Sequence, residues 1–387
     1  MKFRSRILLA GATLFAAVGA VGASPAAAGP IVTPGPGDGS AVVFFANGGN
    51  LGFTNGFKYN STGGGFDGGR IDATHYWVSF LKMGGGTYTN TQLTIWEGLN
   101  GPAVDPICTI DTTKDNGTDV TVYFQCTPFP PASLDGTSLF VNVTNRTHPD
   151  RAGVTAPGFV ALTTASASAA SSTPTNQYRS SGTGAAQVTR SGVGQYSVTV
   201  PNGAYAWNQG TAFVTALTVS PTVDTAYTRY CNLQSWYPSG TNTVVNVRCY
   251  MGAGTAADAR FSLRLTNRNQ MGGTQPGGSQ WVSNPASAGY DTTSYRWNSV
   301  GGVNHVRSLV AWEGAGVSEV EFMGSTWASG RVPSLLVSGY GGNQRCSLKY
   351  QGYNTITFTT HATVRCFSPF TGAGLSTAQY TVGIAQF

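Results

Sequence analysis

The densest group of carboxylates in the chain is Asp105, Asp111, Asp115 and Asp119, with Asn116 among them. Carboxylates at short spacing are what a hard Ca²⁺ ion takes. Thr113 interrupts the alternation of ligands that a calcium loop needs, and the corresponding later stretch, Pro238 to Thr243, has no acid. The group therefore reads as hairpin-turn chemistry, and no metal or other cofactor is expected. Glycoside hydrolysis needs two carboxylates about 5–10 Å apart, and only four Glu exist: Glu97, Glu313, Glu319 and Glu321. Glu97 and Glu313 share a Trp-Glu-Gly context but stand 11 and 33 residues before the next Cys, so they are not copies of one site. Glu319 and Glu321 alternate with Val320 and Phe322, the pattern of a strand with a polar face out and an apolar face in. The histidines, His75, His148, His305 and His361, form no His-Glu-x-x-His box, and there is no Gly-x-Ser-x-Gly elbow. No catalytic residue is assigned. Among the eight Trp, Trp281 aligns with Phe45 and Phe159 and reads as core. Trp236 and Tyr237, beside the Pro238-Ser-Gly240 turn, and Trp297 are the better candidates for exposed, ligand-binding platforms.

The elements that would carry these residues come from an internal repeat. Cys108, Cys231 and Cys346 open one local pattern, and Cys126, Cys249 and Cys366 follow 18 to 20 residues later. Val122, Phe124 and Cys126 share one face of a period-two pattern, as do Val245, Val247 and Cys249, and Val364 with Cys366. Tyr59, Tyr178 and Tyr295 precede the first Cys of each copy by 49, 53 and 51 residues. His361 occupies the repeat position of Thr121 and Val244, where a single strand-site substitution explains it. Helical periodicity is absent. The expected fold is all-β: three tandem antiparallel β-sandwich-like repeats over 41–147, 158–268 and 281–387, joined by linkers at 148–157 and 269–280. Asn116-Gly117 and Ser239-Gly240 mark hairpin turns between the two Cys of a copy. The expected disulfides are therefore Cys108–Cys126, Cys231–Cys249 and Cys346–Cys366.

Residues 1–28 begin with Lys2, Arg4 and Arg6, continue through an apolar stretch and end in Ala26-Ala27-Ala28, the pattern of a secretory signal peptide. A Pro/Gly-rich leader, 29–40, is expected to be disordered. Loss of the signal leaves 19 basic against 16 acidic residues, so the formal +6 becomes +3, too diffuse for a nucleic-acid surface. No later run of 18 apolar residues exists, so no membrane span is expected in the mature chain. The chain is expected to be secreted and extracellular, where disulfides persist.

Copy two carries Val188-Thr-Arg-Ser-Gly-Val-Gly-Gln-Tyr-Ser-Val-Thr-Val-Pro201, then Cys231, Val245-Asn-Val-Arg-Cys-Tyr250 and Asp258-Ala-Arg-Phe261. This resembles an uncharacterised Cys-paired β-repeat of secreted bacterial proteins; the match is good in copy two, partial in copy three and poor in copy one. The resemblance implies a secreted β-rich repeat and no activity. The leading expectation is a non-enzymatic extracellular protein presenting a surface to a glycan, a cell surface or a matrix protein, with repetition raising avidity. The alternative is a secreted hydrolase with its site on the diverged first repeat.

Overall fold

The computed structural model describes residues 39–46, 58–86, 88–97, 106–127, 138–146, 159–174, 176–179, 184–201, 210–219, 228–267, 277–286, 296–298, 306–310, 316–323, 333–354, 356, 358–369 and 378–386. The signal and most of the leader, the join 148–157, Glu313, His148 and His305 lie outside them. Every regular element among the described residues is a strand. Repeat 1 supplies β1 (Gly39–Ala46), β2 (Lys58–Asn60), β3 (Phe66–Arg70), β4 (His75–Phe80), β5 (Tyr88–Trp96), β6 (Ile107–Asp115), β7 (Val120–Thr127) and β8 (Ser138–Arg146). Repeat 2 supplies β9 (Phe159–Thr163), β10 (Ser171–Ser172), β11 (Asn176–Arg179), β12 (Gln187–Gly192), β13 (Gln195–Val200), β14 (Gly210–Leu217), β15 (Arg229–Ser239), β16 (Asn242–Met251) and β17 (Arg260–Asn267). Repeat 3 supplies β18 (Gly277–Val282), β19 (Arg296–Asn298), β20 (Val306–Val310), β21 (Val317–Met323), β22 (Pro333–Tyr340), β23 (Arg345–Asn354), β24 (Thr359–Phe367) and β25 (Gln379–Gln386). Strand β18 begins at Gly277, so the last four residues of the run read as a linker are sheet, and β1 likewise takes in Gly39 and Ser40 of the leader.

Each repeat is a sandwich of an inner set and an outer set of strands, but the two sets belong to different sheets. One sheet runs β2-β1-β8-β5-β23-β24-β21-β20, joining the inner set of repeat 1 to the outer set of repeat 3. The second, β11-β9-β17-β14-β6-β7-β4-β3, joins repeat 2 to repeat 1; the third, β10-β12-β13-β16-β15-β22-β25-β18-β19, joins repeat 3 to repeat 2. Pairing within a repeat is antiparallel, whereas each seam between repeats is parallel: Trp96 opposite Leu348, Leu217 opposite Ile110 and Tyr340 opposite Leu233. The next residue continues each seam with one hydrogen bond: Glu97 N to Leu348 O (3.0 Å), Thr218 N to Ile110 O (2.9 Å) and Gly341 N to Leu233 O (2.8 Å). The repeats are thus interlocked in a cycle.

This topology explains two kinds of strand sequence. Inner strands are covered on both faces and read as near-continuous buried runs, as two-sided strands do. In β1, Ala41 and Val43 pack in the core of repeat 1 while Val42 and Phe44 join the core of repeat 3. In β14, Ala212, Val214 and Ala216 pack in repeat 2 and Phe213 in the core of repeat 3. Outer strands have one wet face and alternate. The inner sets meet each other through polar side chains: Thr215 Oγ1 accepts from Leu93 N (3.2 Å) and donates to Gln92 Oε1 (2.9 Å), and Ser338 Oγ accepts from Val214 N (2.9 Å). Fully buried Arg264 donates from Nη1 to Asn142 Oδ1 (2.6 Å) and from Nη2 to Asn90 Oδ1 (3.1 Å), tying repeat 2 to repeat 1. Buried polar groups hold their place by such bonds and specify one register of packing.

The six Cys form the three expected bridges, each between residues directly opposite across a hairpin, with Cα atoms 4.0–4.1 Å apart. One residue beyond the inward apolar neighbour of each first Cys (Ile110, Leu233 and Leu348), the same β-bulge recurs, at Asp111, Gln234 and Lys349.

Candidate functional site

The outer strands of repeat 3 expose a face on which titratable groups converge. In β21, Val320 and Phe322 are buried in the core, which turns Glu319 and Glu321 to the opposite face. In β24, Ala362 and Val364 point inward, which turns His361 and Thr363 outward. The register sets Glu321 opposite His361 and Glu319 opposite Thr363, and β20 adds Arg307 opposite Glu321. His361 Nδ1 hydrogen-bonds the Glu319 carboxylate and stands 3.4 Å from Glu321 Oε1, while Arg307 Nε donates to Glu321 Oε2. The bond to Glu319 raises the imidazole pKa above its ordinary value, against the opposing effect of burial.

Beside this cluster lies an open groove of about 370 Å³ lined by Glu319, Tyr350, Gly352, Tyr353, Asn354, Ile356, His361 and Thr363. The bulge at Lys349 places Tyr350 opposite Thr363 and Gly352 opposite His361. The Tyr350 ring lies over Gly352: a Cβ there would stand 2.8 Å from it, so a larger residue would displace the ring. At the hairpin tip, Ile356 is 87% exposed and Phe358 53% exposed, with Phe358 at φ +51°. Two apolar side chains held in water at one tip, one in the left-handed region, are costly for folding alone.

The internal repeat supplies its own comparison. At the positions of Glu319, Glu321 and His361, repeat 1 carries Trp77, Ser79 and Thr121, and repeat 2 carries Ser197, Thr199 and Val244, in the same register. All three ligand-type residues are therefore confined to repeat 3. Reading His361 as an isolated substitution missed its partners because β21 and β24 are 42 residues apart along the chain. The signal was available: the three positions change together once the strands are aligned.

The sequence-predicted residues fall elsewhere. Trp236 is not a platform: it is 5% exposed and packs edge-on against Trp281 and Tyr340, with centroids 5.9 and 5.2 Å away. The bulge at Gln234 is the reason, since one extra residue moves position 236 onto the core face with Cys231 and Leu233. Tyr237 is consequently on the outer face and 44% exposed. Trp297 is in β19, and its side chain lies outside the described residues. Trp281 packs against the core of repeat 2. The acidic loop is taken up by backbone: Asp115 accepts from Gly85 N (2.9 Å), Gly86 N (3.1 Å) and Gly117 N (2.7 Å), and Asp119 from Lys82 N (2.8 Å). Glu97 is buried at the seam of repeats 1 and 3, accepting from Arg365 Nη1 (2.6 Å) and Ser347 Oγ. Burial raises its pKa despite those two partners. In repeat 1, Asp72 and His75 pair at 2.8 Å at an exposed turn, and backbone and imidazole hydrogen bonds hold Asp72 well below the carboxylate range.

The residues that carry the copy-two motif serve the fold. Asp258 accepts two bonds from Arg190 (2.9 and 2.8 Å), one from Gly194 N (2.8 Å) and one from Tyr196 Oη (3.2 Å). Gly194 sits at φ +65°, where a Cβ would be 2.4 Å from Cys249 O. A smaller cavity of about 80 Å³ is lined by the same positions of all three repeats, Thr94, Thr215 and Ser338 with Cys108, Cys231 and Cys346 among them. It belongs to the interlock. No family model, no curated protein and no solved structure matches this chain.

Proposed function

We propose that the protein is a secreted, non-enzymatic binding protein in which repeats 1 and 2 serve as scaffold and the outer groove of repeat 3 takes a surface or matrix glycan. The pattern of residues 1–28 and three disulfides support export to an oxidising compartment. The observation that carries the ligand reading is the groove itself. Tyr350 and Tyr353 offer flat rings for the apolar faces of sugars, and Asn354, Thr363 and Glu319 offer hydrogen-bonding groups for hydroxyls. Glycan binding to an immobilised polysaccharide panel tests this: Tyr353→Ala lowers affinity at least tenfold, and Tyr237→Ala on repeat 2 leaves it unchanged. Binding that ignores Tyr353, or no binding to any glycan, overturns it. A hydrolytic reading draws on the paired carboxylates of β21, since retaining glycosidases hold theirs about 5 Å apart. Release of reducing ends from the same panel, abolished by Glu319→Gln, would favour that reading over simple binding.

A further inference from the structure

We propose that Glu319, Glu321 and His361 form a site for one divalent transition-metal ion, Zn²⁺ by its donor set, at the edge of the groove. The inference extends the ligand site proposed above. One ligand atom from each residue lies within 4.8 Å of the other two, and His361 Nδ1 is 3.4 Å from Glu321 Oε1. A tetrahedral Zn²⁺ with ligand distances of about 2.1 Å spaces its ligands about 3.4 Å apart. One imidazole nitrogen with two carboxylates suits Zn²⁺, whereas Ca²⁺ takes six to eight oxygens and Mg²⁺ an octahedron of them.

The cluster stands on two neighbouring strands of one sheet, β21 and β24, so its spacing is set by backbone register rather than by a loop. Arg307, whose side chain is 41% exposed, now neutralises part of the acidic charge. Three protein ligands leave a fourth position, and Glu319 and His361 both line the groove, so that position faces the ligand channel. A bound ion there would meet a hydroxyl or carboxylate of the groove's occupant, the open geometry of zinc sites that engage a second molecule.

Untagged, chelator-stripped full-length protein titrated calorimetrically with ZnCl₂ alone tests the site without any glycan. The expected result is one Zn²⁺ per chain, with affinity at least tenfold weaker in Glu319→Gln and in His361→Val and unchanged in His75→Val. Valine is what repeat 2 carries at the His361 position, so that variant keeps a strand residue already used by this fold. Circular dichroism checks that both variants remain folded; if His361→Val fails to fold, Glu319→Gln decides. The absence of stoichiometric Zn²⁺ overturns the proposal, as does Zn²⁺ binding indifferent to Glu319 and His361, or Ca²⁺ binding as tight as Zn²⁺. Glycan binding that persists after metal failure leaves the groove reading standing; Zn²⁺ binding without a glycan leaves the metal site standing.

Discussion

Glu97→Gln probes the interlock directly. Glu97 is 3% exposed and closes the parallel seam between repeats 1 and 3, with its backbone N on Leu348 O at 3.0 Å and Oε2 on Arg365 Nη1 at 2.6 Å. The substitution keeps shape and volume but leaves a guanidinium, only 12% exposed, facing a neutral amide. Two unit charges about 4 Å apart attract by about 4 kcal/mol at an effective dielectric of 20. Breaking one side of a buried pair costs about 3–5 kcal/mol in measured cases. Burial outweighs Glu97's partners and raises its pKa, so the substitution also removes a costly buried charge, which with residual hydration of Arg365 brings the expected loss down to about 1–2 kcal/mol. Urea unfolding at neutral pH, followed by Trp fluorescence and far-UV circular dichroism, reads it. Because every sheet is built from two repeats, both probes move together and the whole transition shifts. Adding Arg365→Gln, the residue repeat 1 carries at that position as Gln125, recovers at least about 1 kcal/mol, since removing both charges leaves none stranded. A loss below about 0.5 kcal/mol, or a two-step transition in which only one step moves, refutes the shared-sheet reasoning.

Two further outcomes are expected. Asp258→Asn destabilises at neutral pH, and the difference from wild type shrinks in acid. Burial acts to raise the Asp258 pKa, but Arg190 and Gly194 N outweigh it and the net shift is downward. With the folded value below the unfolded one, the stabilisation is complete above about pH 4 and is lost as pH falls through the folded value; a constant difference across pH 2–7 in urea midpoints would contradict this. Trp236→Ala opens a cavity between Trp281 and Tyr340 and costs about 3–5 kcal/mol. Tyr237→Ala, one residue on but exposed, costs less than about 1 kcal/mol. Equal costs from thermal or urea unfolding would mean the bulge does not set the faces of β15.

Short-range patterns were legible in the chain. Val122, Phe124 and Cys126 alternate because an outer strand has one wet face, and that same alternation placed each Cys opposite its partner. Trp236 was misplaced by one residue of bulge, a backbone irregularity that no side-chain pattern around it announces. Glu319, Glu321 and His361 each looked ordinary alone, because what makes them a site is the register between β21 and β24. The run 269–280 looked like a linker because Gly277, Gly278 and Ser279 carry little strand propensity, yet β18 pairs β25 there and buries them.

The amino-acid sequence by itself determined the all-β class, the threefold repeat and the three disulfides, since each depends on residues near one another or on a period that survives duplication. Only the tertiary structure decided that the repeats share their sheets and that, among the described residues, one repeat alone gathers two carboxylates and an imidazole beside a groove. Edge strands leave backbone donors and acceptors that must be paired. Whether a repeat pairs them with its own strands or with a neighbour's is settled by the packing of the whole assembly, and that choice leaves no local trace in the chain.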